Sequence, residues 1–271
     1  VKSGMVFTWL ARALELDLTL RAGTYELPAG AWAWAVVQEL ARGQVHSVRV
    51  TVPEGLTLKE TAALFEHQGL TSADDFLLAA RDKELLDKYE LGDTTAEGFL
   101  FPETYTFARG LSAKEMVDAM LEQFFERIAR IPEAVRASPQ KLRERVILAS
   151  VIEKEARDES EQPRIAGVFQ NRLDKNMKLE SCATVLYVLG APKDRLTLAD
   201  VRTPSPYNTY LNHGLPPGPI ANPGFGAIRA AFRPEKNDYL LFFAKEDGSY
   251  QHVFTKTYAD HQREHQELSR R

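Results

Sequence analysis

The feature that most constrains the fold is a run of seven uncharged residues, 146–152, followed at once by Glu153, Lys154 and Glu155. A helix that is apolar on every side has to be enclosed by other elements, so this segment is predicted to cross the centre of a core. A carboxyl group at the end of such a helix is withdrawn from water, which raises its pKa and allows it to donate a proton near neutral pH. The alternative is that both glutamates are exposed where the helix leaves the core, as most charged side chains are.

The composition is that of an ordinary globular protein and argues against several classes of function. Of the 271 residues, 44% are hydrophobic and 27% are charged, and the net charge of -4 argues against nucleic acid as a partner. The single cysteine rules out an internal disulfide and a zinc site built from several cysteines. No window reaches the roughly 18 apolar residues of a membrane span, because Arg12, Glu15 and Asp17 interrupt the nearest one at 6–20. Since the chain begins at valine rather than methionine, a natural N-terminus is expected to precede it.

Hydrophobic periodicity and turn residues predict an α+β fold. Apolar residues recur every four positions at 113–130, which is typical of an amphipathic helix. Ser138 and Pro139 are typical of a helix start, and the helix they begin is predicted to carry the apolar run to about Ala156. Further helices are predicted at 32–42, 58–68, 72–88, 160–175, 224–232 and from 257 onward, with strands at 23–27 and 45–52 and a hairpin of 239–245 with 250–254.

Two less regular segments are expected to contribute to function. Residues 97–105 are rich in aromatic side chains, and this segment is predicted to be a loop that passes into a strand. Residues 203–223 combine prolines with tyrosines, and a long ordered loop in a compact domain is usually functional. Asn222 and Pro223, at the end of this loop, are predicted to cap the helix that follows.

Three short patterns suggest chemistry but are better explained otherwise. Ser138 to Lys141 fits S-x-x-K, yet the accompanying motifs of penicillin-binding enzymes are missing and Ser138 is a ready helix cap. His261 to His265 fits the zinc pattern H-x-x-E-H, but a third ligand is needed and a solvated terminal helix is favoured. Cys182 has no histidine near it in sequence and is predicted to be a small buried residue rather than a nucleophile. No metal and no cofactor are therefore expected.

Carboxylate chemistry remains. Ordinary glycosidases place two carboxylates on opposite sides of the scissile bond. Glu153 and Glu155 are two residues apart and point in different directions on a helix, so they cannot form that pair. A single acid suffices if a hydroxyl of the sugar itself replaces water as the attacking group. Periodicity alone does not choose between the two glutamates.

A series of motifs carries a resemblance to a known family. They are Gly23–Leu27, Val52–Gly55, Glu97–Tyr105, Leu148–Glu155, Val168–Leu173, Ser205–Tyr210, Gly214–Gly224, His252–Tyr258 and His261. In residues and in order they resemble the endolytic murein transglycosylases, the YceG-like family, over nearly the whole chain from about Leu20. One departure stands at 180–184, where the family usually has Q-S-D-P-T and this chain has E-S-C-A-T.

The resemblance implies an organisation and a location. After an N-terminal segment at 1–19 it implies a small LysM-like subdomain at 20–53, a helical connecting subdomain at 54–96 and a mixed α/β catalytic domain at 97–271. It also implies a single N-terminal membrane helix, absent from this sequence, with the catalytic region on the extracytoplasmic side of the cell membrane. The implied partners are peptidoglycan glycan strands and, beside them, peptidoglycan synthases.

The resemblance also implies a reaction and its residues. The bond between N-acetylmuramic acid and N-acetylglucosamine is cleaved inside a nascent strand, and the muramic C6 hydroxyl attacks to give a 1,6-anhydro end, which limits strand length. The first glutamate of the family pattern falls on Glu153, which is expected to act as acid and then as base. Substrate contacts are expected from Ser181, Thr184, Tyr207, Asn208 and Tyr210. Glu103 and Glu155 are weaker candidates. For the aspartate lost at Cys182 two alternatives stay open, which are compensation by Glu180 and reduced activity.

Two other functions fit the same residues. A muramidase that uses water would give a product heavier by one water. A non-catalytic peptidoglycan-binding scaffold would fit the LysM-like unit and the altered segment at 180–184, and it would bind glycan without turnover.

Overall fold

The computed structural model of the chain describes residues 47–268, apart from 192, 194 and 246, together with positions 12, 32 and 34–37. The predicted strand at 23–27 and most of the predicted LysM-like unit lie outside the described residues. Within the described part of the chain, no helix has both the length and the apolar character needed to cross a bilayer.

The first part of the described chain is a two-stranded sheet covered by short helices. Strand β1 (Ser47–Thr51) pairs antiparallel with β2 (Thr104–Ala108), and α1 (Leu58–His67), α2 (Ala73–Ala79) and α3 (Lys83–Lys88) lie between them in sequence. The segment predicted as one helix at 72–88 is divided, because Asp82 accepts a hydrogen bond from the backbone N–H of Leu85 and starts α3 as its N-cap. The β1–β2 pairing joins regions predicted to belong to different subdomains, and those boundaries stay predictions.

A long amphipathic helix follows. Helix α4 (Ala113–Ile128) buries the predicted stripe of Met116, Met120, Phe124 and Ile128, which confirms the amphipathic prediction. The short helix α5 (Pro132–Val135) leads from it towards the central helix.

The central helix, α6 (Pro139–Glu155), confirms the prediction that the apolar run at 146–152 is enclosed by other elements. Every residue from Val146 to Ile152 is buried, including Ser150. The hydroxyl of Ser138 accepts a hydrogen bond from the N–H of Lys141, so Ser138 caps the helix as predicted. Burial on all sides follows because α6 packs against three helices of the C-terminal half, which are α7 (Gln162–Asp174), α8 (Cys182–Leu189) and α10 (Phe225–Phe232).

The C-terminal half adds a loop, a hairpin and a surface helix. A single turn of 3-10 helix (Glu159–Glu161) precedes α7, and α9 (Leu198–Val201) precedes the irregular segment. Strands β3 (Leu241–Ala244) and β4 (His252–Thr255) form the predicted hairpin, and α11 (Tyr258–Leu268) buries none of its residues. Helix α8 was not among the predicted elements. The α+β prediction is confirmed.

The long loop before α10 is ordered by Asn222, although not in the way predicted. Its side-chain oxygen accepts hydrogen bonds from the N–H groups of Gly98 and Leu100, and its amide donates to the carbonyl of Leu56. The N-cap of α10 is Gly224, which has no side chain with which to cap. The predicted cap at Asn222 is therefore wrong, since Asn222 holds three distant segments together instead.

Candidate active site

The last turn of α6 presents its two glutamates to different surroundings. Glu155 faces the start of α8, where its Oε1 accepts hydrogen bonds from the hydroxyl of Ser181 at 2.5 Å and the N–H of Ala183 at 3.5 Å. Glu153 faces the start of α10, where its Oε2 accepts from the N–H of Gly224 at 3.1 Å. The prediction that the two carboxylates cannot form a pair across one bond is consistent with these separate partners.

Glu155 lines a cavity of about 360 Å³ between α6, α7, α8 and the β3–β4 hairpin. One wall is apolar, and it is formed by Phe169, Leu179 and residues 241–244. The polar groups that line it are Glu155, Arg172, Glu180, Ser181, Cys182, Tyr210, His252 and His261. A lining that combines apolar side chains with polar groups is the usual composition of a site for a small ligand or a sugar.

The environment of Glu155 favours its protonated form. Burial raises the pKa of this carboxyl, and the hydrogen bonds from Ser181 and Ala183 oppose that rise. Both bonds are made to Oε1, so Oε2 is the oxygen left without a hydrogen-bond partner among the described residues. Glu155 therefore combines a raised pKa with one oxygen available to a ligand.

Tyr210 and Cys182 form a second polar edge of the cavity. The Tyr210 hydroxyl lies 3.1 Å from the Cys182 sulfur, and burial raises the pKa of Tyr210, so the phenol is a neutral donor or acceptor at physiological pH. Cys182 is exposed at the first position of α8, which contradicts its predicted burial. A small residue at a helix start is buried only if another element covers it, and here the cavity lies in front of it.

Two pairs of polar side chains border the cavity. Arg172 donates to Glu180 at 3.1 Å and to the carbonyls of Leu179 and Leu240. His252 donates its backbone N–H to Glu161, and its Nδ1 lies 2.7 Å from the same carboxylate. Glu180, the proposed substitute for the lost aspartate, thus lines the cavity of Glu155 while paired with Arg172.

Glu153 lies between the 54–55 turn and the start of α10. Burial raises its pKa to about 7, the Gly224 N–H lowers it, and the nearby charge of Glu54 raises it again. The carboxylate of Glu54 lies directly over Gly224, where a β-carbon would overlap it. Lys154 donates to the carbonyl of Gly55 at 3.1 Å, so this end of α6 is fixed to the 54–55 turn. Glu54 was not singled out from the sequence, although its place in the Val52–Gly55 motif was a usable signal.

The structure separates the predicted substrate residues into three groups. Ser181 and Tyr210 line the cavity of Glu155. Thr184 and Asn208 are both 0% exposed, and their side chains are hydrogen-bonded within the protein, so their contact with substrate stays a prediction. The polar side chains of Y-N-T-Y are typical of sugar sites, but sequence alone does not tell which of them point inward.

Tyr207 belongs to a different cluster. Its ring lies 5.1 Å from that of Tyr187, and Tyr187 in turn hydrogen-bonds the buried carboxyl of Glu97. Burial raises the pKa of Glu97 to about 8, and its Oε1 accepts from the N–H of Leu58 at 2.7 Å, at the start of α1. The weaker candidate Glu103 forms an ion pair with Arg127 on α4, and among the described residues it makes no hydrogen bond with either glutamate of α6.

The pattern His261 to His265 lies on α11. The ring of His261 packs edge-on against Phe243 with 4.9 Å between centroids, and it lines the cavity. Within the described ranges, no group of three or more histidine, cysteine or acidic side chains is arranged to hold a metal ion.

Residues 1–267 match the model of the YceG-like family. The chain belongs to this family. The YceG-like chain is 36% identical over 257 residues to the endolytic murein transglycosylase of Bacillus subtilis (strain 168), which covers 89% of this chain and 71% of that protein. It is 30% identical over 275 residues to the endolytic murein transglycosylase of Streptococcus pneumoniae (strain D39), covering 90% of this chain and 50% of that one.

A solved structure gives the same relationship at the level of the fold. The crystal structure of a yceG-like protein of Listeria monocytogenes superimposes on the YceG-like chain with a TM-score of 0.73 and 33% sequence identity. The match covers 96% of this chain and 90% of the Listeria chain. The family resemblance predicted from the sequence motifs is therefore confirmed.

Proposed function

We propose that this chain is an endolytic peptidoglycan lytic transglycosylase, with Glu155 as its acid and base. The observation that carries the proposal is Glu155 at the end of the buried helix α6, lining the cavity with Oε2 free. The names of the Bacillus and Streptococcus relatives support the reaction class. This assignment departs from the sequence-based expectation of Glu153, because Ser181 and Tyr210 surround Glu155 instead.

The proposed reaction needs one carboxyl group used twice. Protonated Glu155 gives its proton from Oε2 to the glycosidic oxygen as the bond to the muramic anomeric carbon breaks. The muramic C6 hydroxyl then forms a bond to that carbon, and the Glu155 carboxylate takes the hydroxyl proton. The products are a strand with a free N-acetylglucosamine hydroxyl and a strand with a 1,6-anhydro end, and Glu155 is protonated again.

The surrounding side chains suit each step. Ser181 and Ala183 donate to Oε1 and stabilise the carboxylate after it has lost its proton. The apolar wall at 241–244 suits the flat face of a sugar ring, and the hydroxyl of Tyr210 suits hydrogen bonding at its edge. An attacking group supplied by the substrate explains why a second carboxylate is not required across the bond.

Paired variants separate the two glutamates. Glu155→Gln keeps an oxygen for Ser181 and Ala183 but has no proton to give, so release of anhydromuramyl ends is expected to fall by about 100-fold or more. Glu153→Gln, two residues away on the same helix, is the matched control and is expected to retain most of the rate. Products from nascent glycan are identified by mass spectrometry, and thermal unfolding confirms that both variants are folded. Loss of activity in Glu153→Gln alone would return the role to Glu153, which a pKa of about 7 supports.

The same assay tests the two rival functions. A hydrolytic muramidase gives products heavier by one water than the anhydro ends. A binding scaffold, for which the altered segment at 180–184 is the supporting feature, retains glycan without releasing any product.

We further infer the place of action from the proposed substrate. Peptidoglycan lies outside the cytoplasmic membrane, so the catalytic region is expected on that side, held there by an N-terminal membrane helix and close to peptidoglycan synthases. Fractionation of cells that express the full-length protein, followed by crosslinking to the synthases, tests both expectations. Recovery in the cytosolic fraction would contradict them.

A further inference from the structure

We propose that Thr209 is a positioning residue, which acts with Thr184 to hold Ser181 so that its hydroxyl points at Glu155. The proposal rests on the proposed function, since it concerns the residue assigned there as the acid. Thr209 was not singled out from the sequence. It is 1% exposed and lies in the loop that leads to Tyr210.

The contacts form a closed ring of hydrogen bonds. The backbone N–H of Ser181 donates to the Thr209 hydroxyl at 3.0 Å, and the Thr184 hydroxyl donates to the carbonyl of Ser181 at 2.7 Å. The two threonine hydroxyls lie 2.9 Å apart. Because each hydroxyl has one proton and that of Thr184 goes to Ser181, the proton between the threonines must come from Thr209. All three residues are buried, so water does not compete for these bonds.

The ring occupies both backbone groups of Ser181 and leaves its hydroxyl free. Ser181 is the N-cap of α8, a position where a serine side chain normally accepts from the helix itself. Here its side chain makes no capping bond, and it donates to Glu155 instead. The N–H of Ala183, which a cap would normally take, also turns to Glu155. The buried ring thus fixes which oxygen of Glu155 is held and which stays free.

Removing the Thr209 hydroxyl is expected to loosen Ser181. The Ser181 N–H would be left buried without an acceptor, and the start of α8 would have to move to recover one. A weaker bond from Ser181 to Glu155 favours the protonated carboxyl. Because the complete loss of a hydrogen bond to a charged group corresponds to about one pH unit or somewhat more, the pKa of Glu155 is expected to rise by a part of that amount.

Other titratable groups also face Glu155 and stay in place in the variants below. They are Cys182 of α8, Tyr210 and Glu180 of the adjoining segments, Arg172 of α7, His252 of β4 and His261 of α11.

The test compares two threonines that are equally buried. Thr209→Val removes the hydroxyl of the ring, and Thr209→Ser keeps it. Thr61→Val is the matched control, because Thr61 is 0% exposed and its hydroxyl donates to the carbonyl of Thr57, the residue that caps α1. The pKa of Glu155 is read from carbon-13 NMR of labelled glutamate carboxyls, and its signal is identified by its absence in Glu155→Gln.

We expect the pKa of Glu155 to rise by about one pH unit in Ser181→Ala and by a smaller amount in Thr209→Val, with wild-type values in Thr209→Ser and Thr61→Val. An unchanged pKa in Thr209→Val, or an equal rise in Thr61→Val, would overturn the positioning role. Kinetics adds a second readout, in which Thr209→Val lowers kcat more than KM and moves the alkaline limb of the pH profile upward. The NMR measurement does not depend on turnover. Absence of transglycosylase activity in the wild type would refute the proposed function, whereas the role of Thr209 would still be judged from the pKa of Glu155.

Discussion

The buried carboxyl of Glu97 makes the stability of the protein depend on pH. Its side chain lies under the start of α1, the residue is 7% exposed, and burial raises its pKa from 4.5 to about 8. A carboxyl whose pKa is raised in the folded state binds its proton more tightly there than in the unfolded chain. The folded state therefore loses stability as pH rises from about 4.5 to about 8, and it is unaffected by this group below that window.

The expected magnitude follows from the two pKa values. Relative to pH values below 4.5, Glu97 is expected to lower the free energy of unfolding by about 3 kcal/mol at pH 7 and by about 5 kcal/mol at pH 9, as an upper estimate. Glu97→Gln keeps an oxygen for the N–H of Leu58 and removes the ionisation. Glu153 and Glu155 also have raised pKa values, so the wild-type curve alone does not isolate Glu97. The difference in unfolding free energy between wild type and variant does.

Urea unfolding at a series of pH values from 5 to 9 measures this difference. The stability of Glu97→Gln relative to the wild type is expected to increase from pH 5 to about pH 8 and to level off above it, where the difference has grown by several kcal/mol. Glu122→Gln, on the exposed face of α4, is the control and is expected to follow the wild-type curve. Parallel curves for wild type and Glu97→Gln would refute the reasoning, since they would mean that Glu97 titrates alike in both states.

Two further predictions concern the loop connections that place the active-site helices. Asn222→Ala leaves the buried N–H groups of Gly98 and Leu100 without an acceptor, so it is expected to lower the free energy of unfolding in urea by about 3 to 5 kcal/mol. The control is Asn212→Ala at an exposed position, which is expected to cost less than about 1 kcal/mol. Equal costs would contradict the role of Asn222. Gly98→Ala is expected to be the more damaging of two glycine changes, because Gly98 has a φ of +86 and a β-carbon there would overlap Pro219, whereas Gly69 has a φ of +66 with open space around it. We expect Gly69→Ala to lower the free energy of unfolding by about 1 to 2 kcal/mol from backbone strain alone, and Gly98→Ala to lower it by clearly more. The reverse order in urea unfolding would show that Pro219 moves freely.

Elements with a strong local signal were predictable from sequence. The stripe of α4, the apolar run of α6 and the serine cap of α6 each depend on residues that are close together in the chain. The division at Asp82 was missed because an aspartate within a helical pattern is a cap only when the chain turns there. Helix α8 was missed because residues 180–184 were interpreted as a motif of separate functional side chains. The apolar residues that follow also have no clear helical period.

The active site was predictable in its chemistry and less so in its geometry. A buried helix ending in carboxyl groups, and the motifs at 180–184 and 205–210, were recognisable from the sequence. The surroundings of Glu153 and Glu155 depend on which segments pack against the end of α6, and those segments are up to a hundred residues away. The same limit applies to Thr184 and Asn208, because sequence alone does not show that their side chains donate to the protein's own backbone carbonyls.

The pairing of β1 with β2 limits how this chain can be shortened. Strand β2 lies at the end of the motif that contains Glu97, and its only partner among the described residues is β1, more than fifty positions earlier. A fragment that began after residue 51 would keep every residue of the cavity but expose the unpaired edge of β2, and such edges promote association between chains. Any soluble minimal enzyme cut from this protein should therefore begin before Ser47.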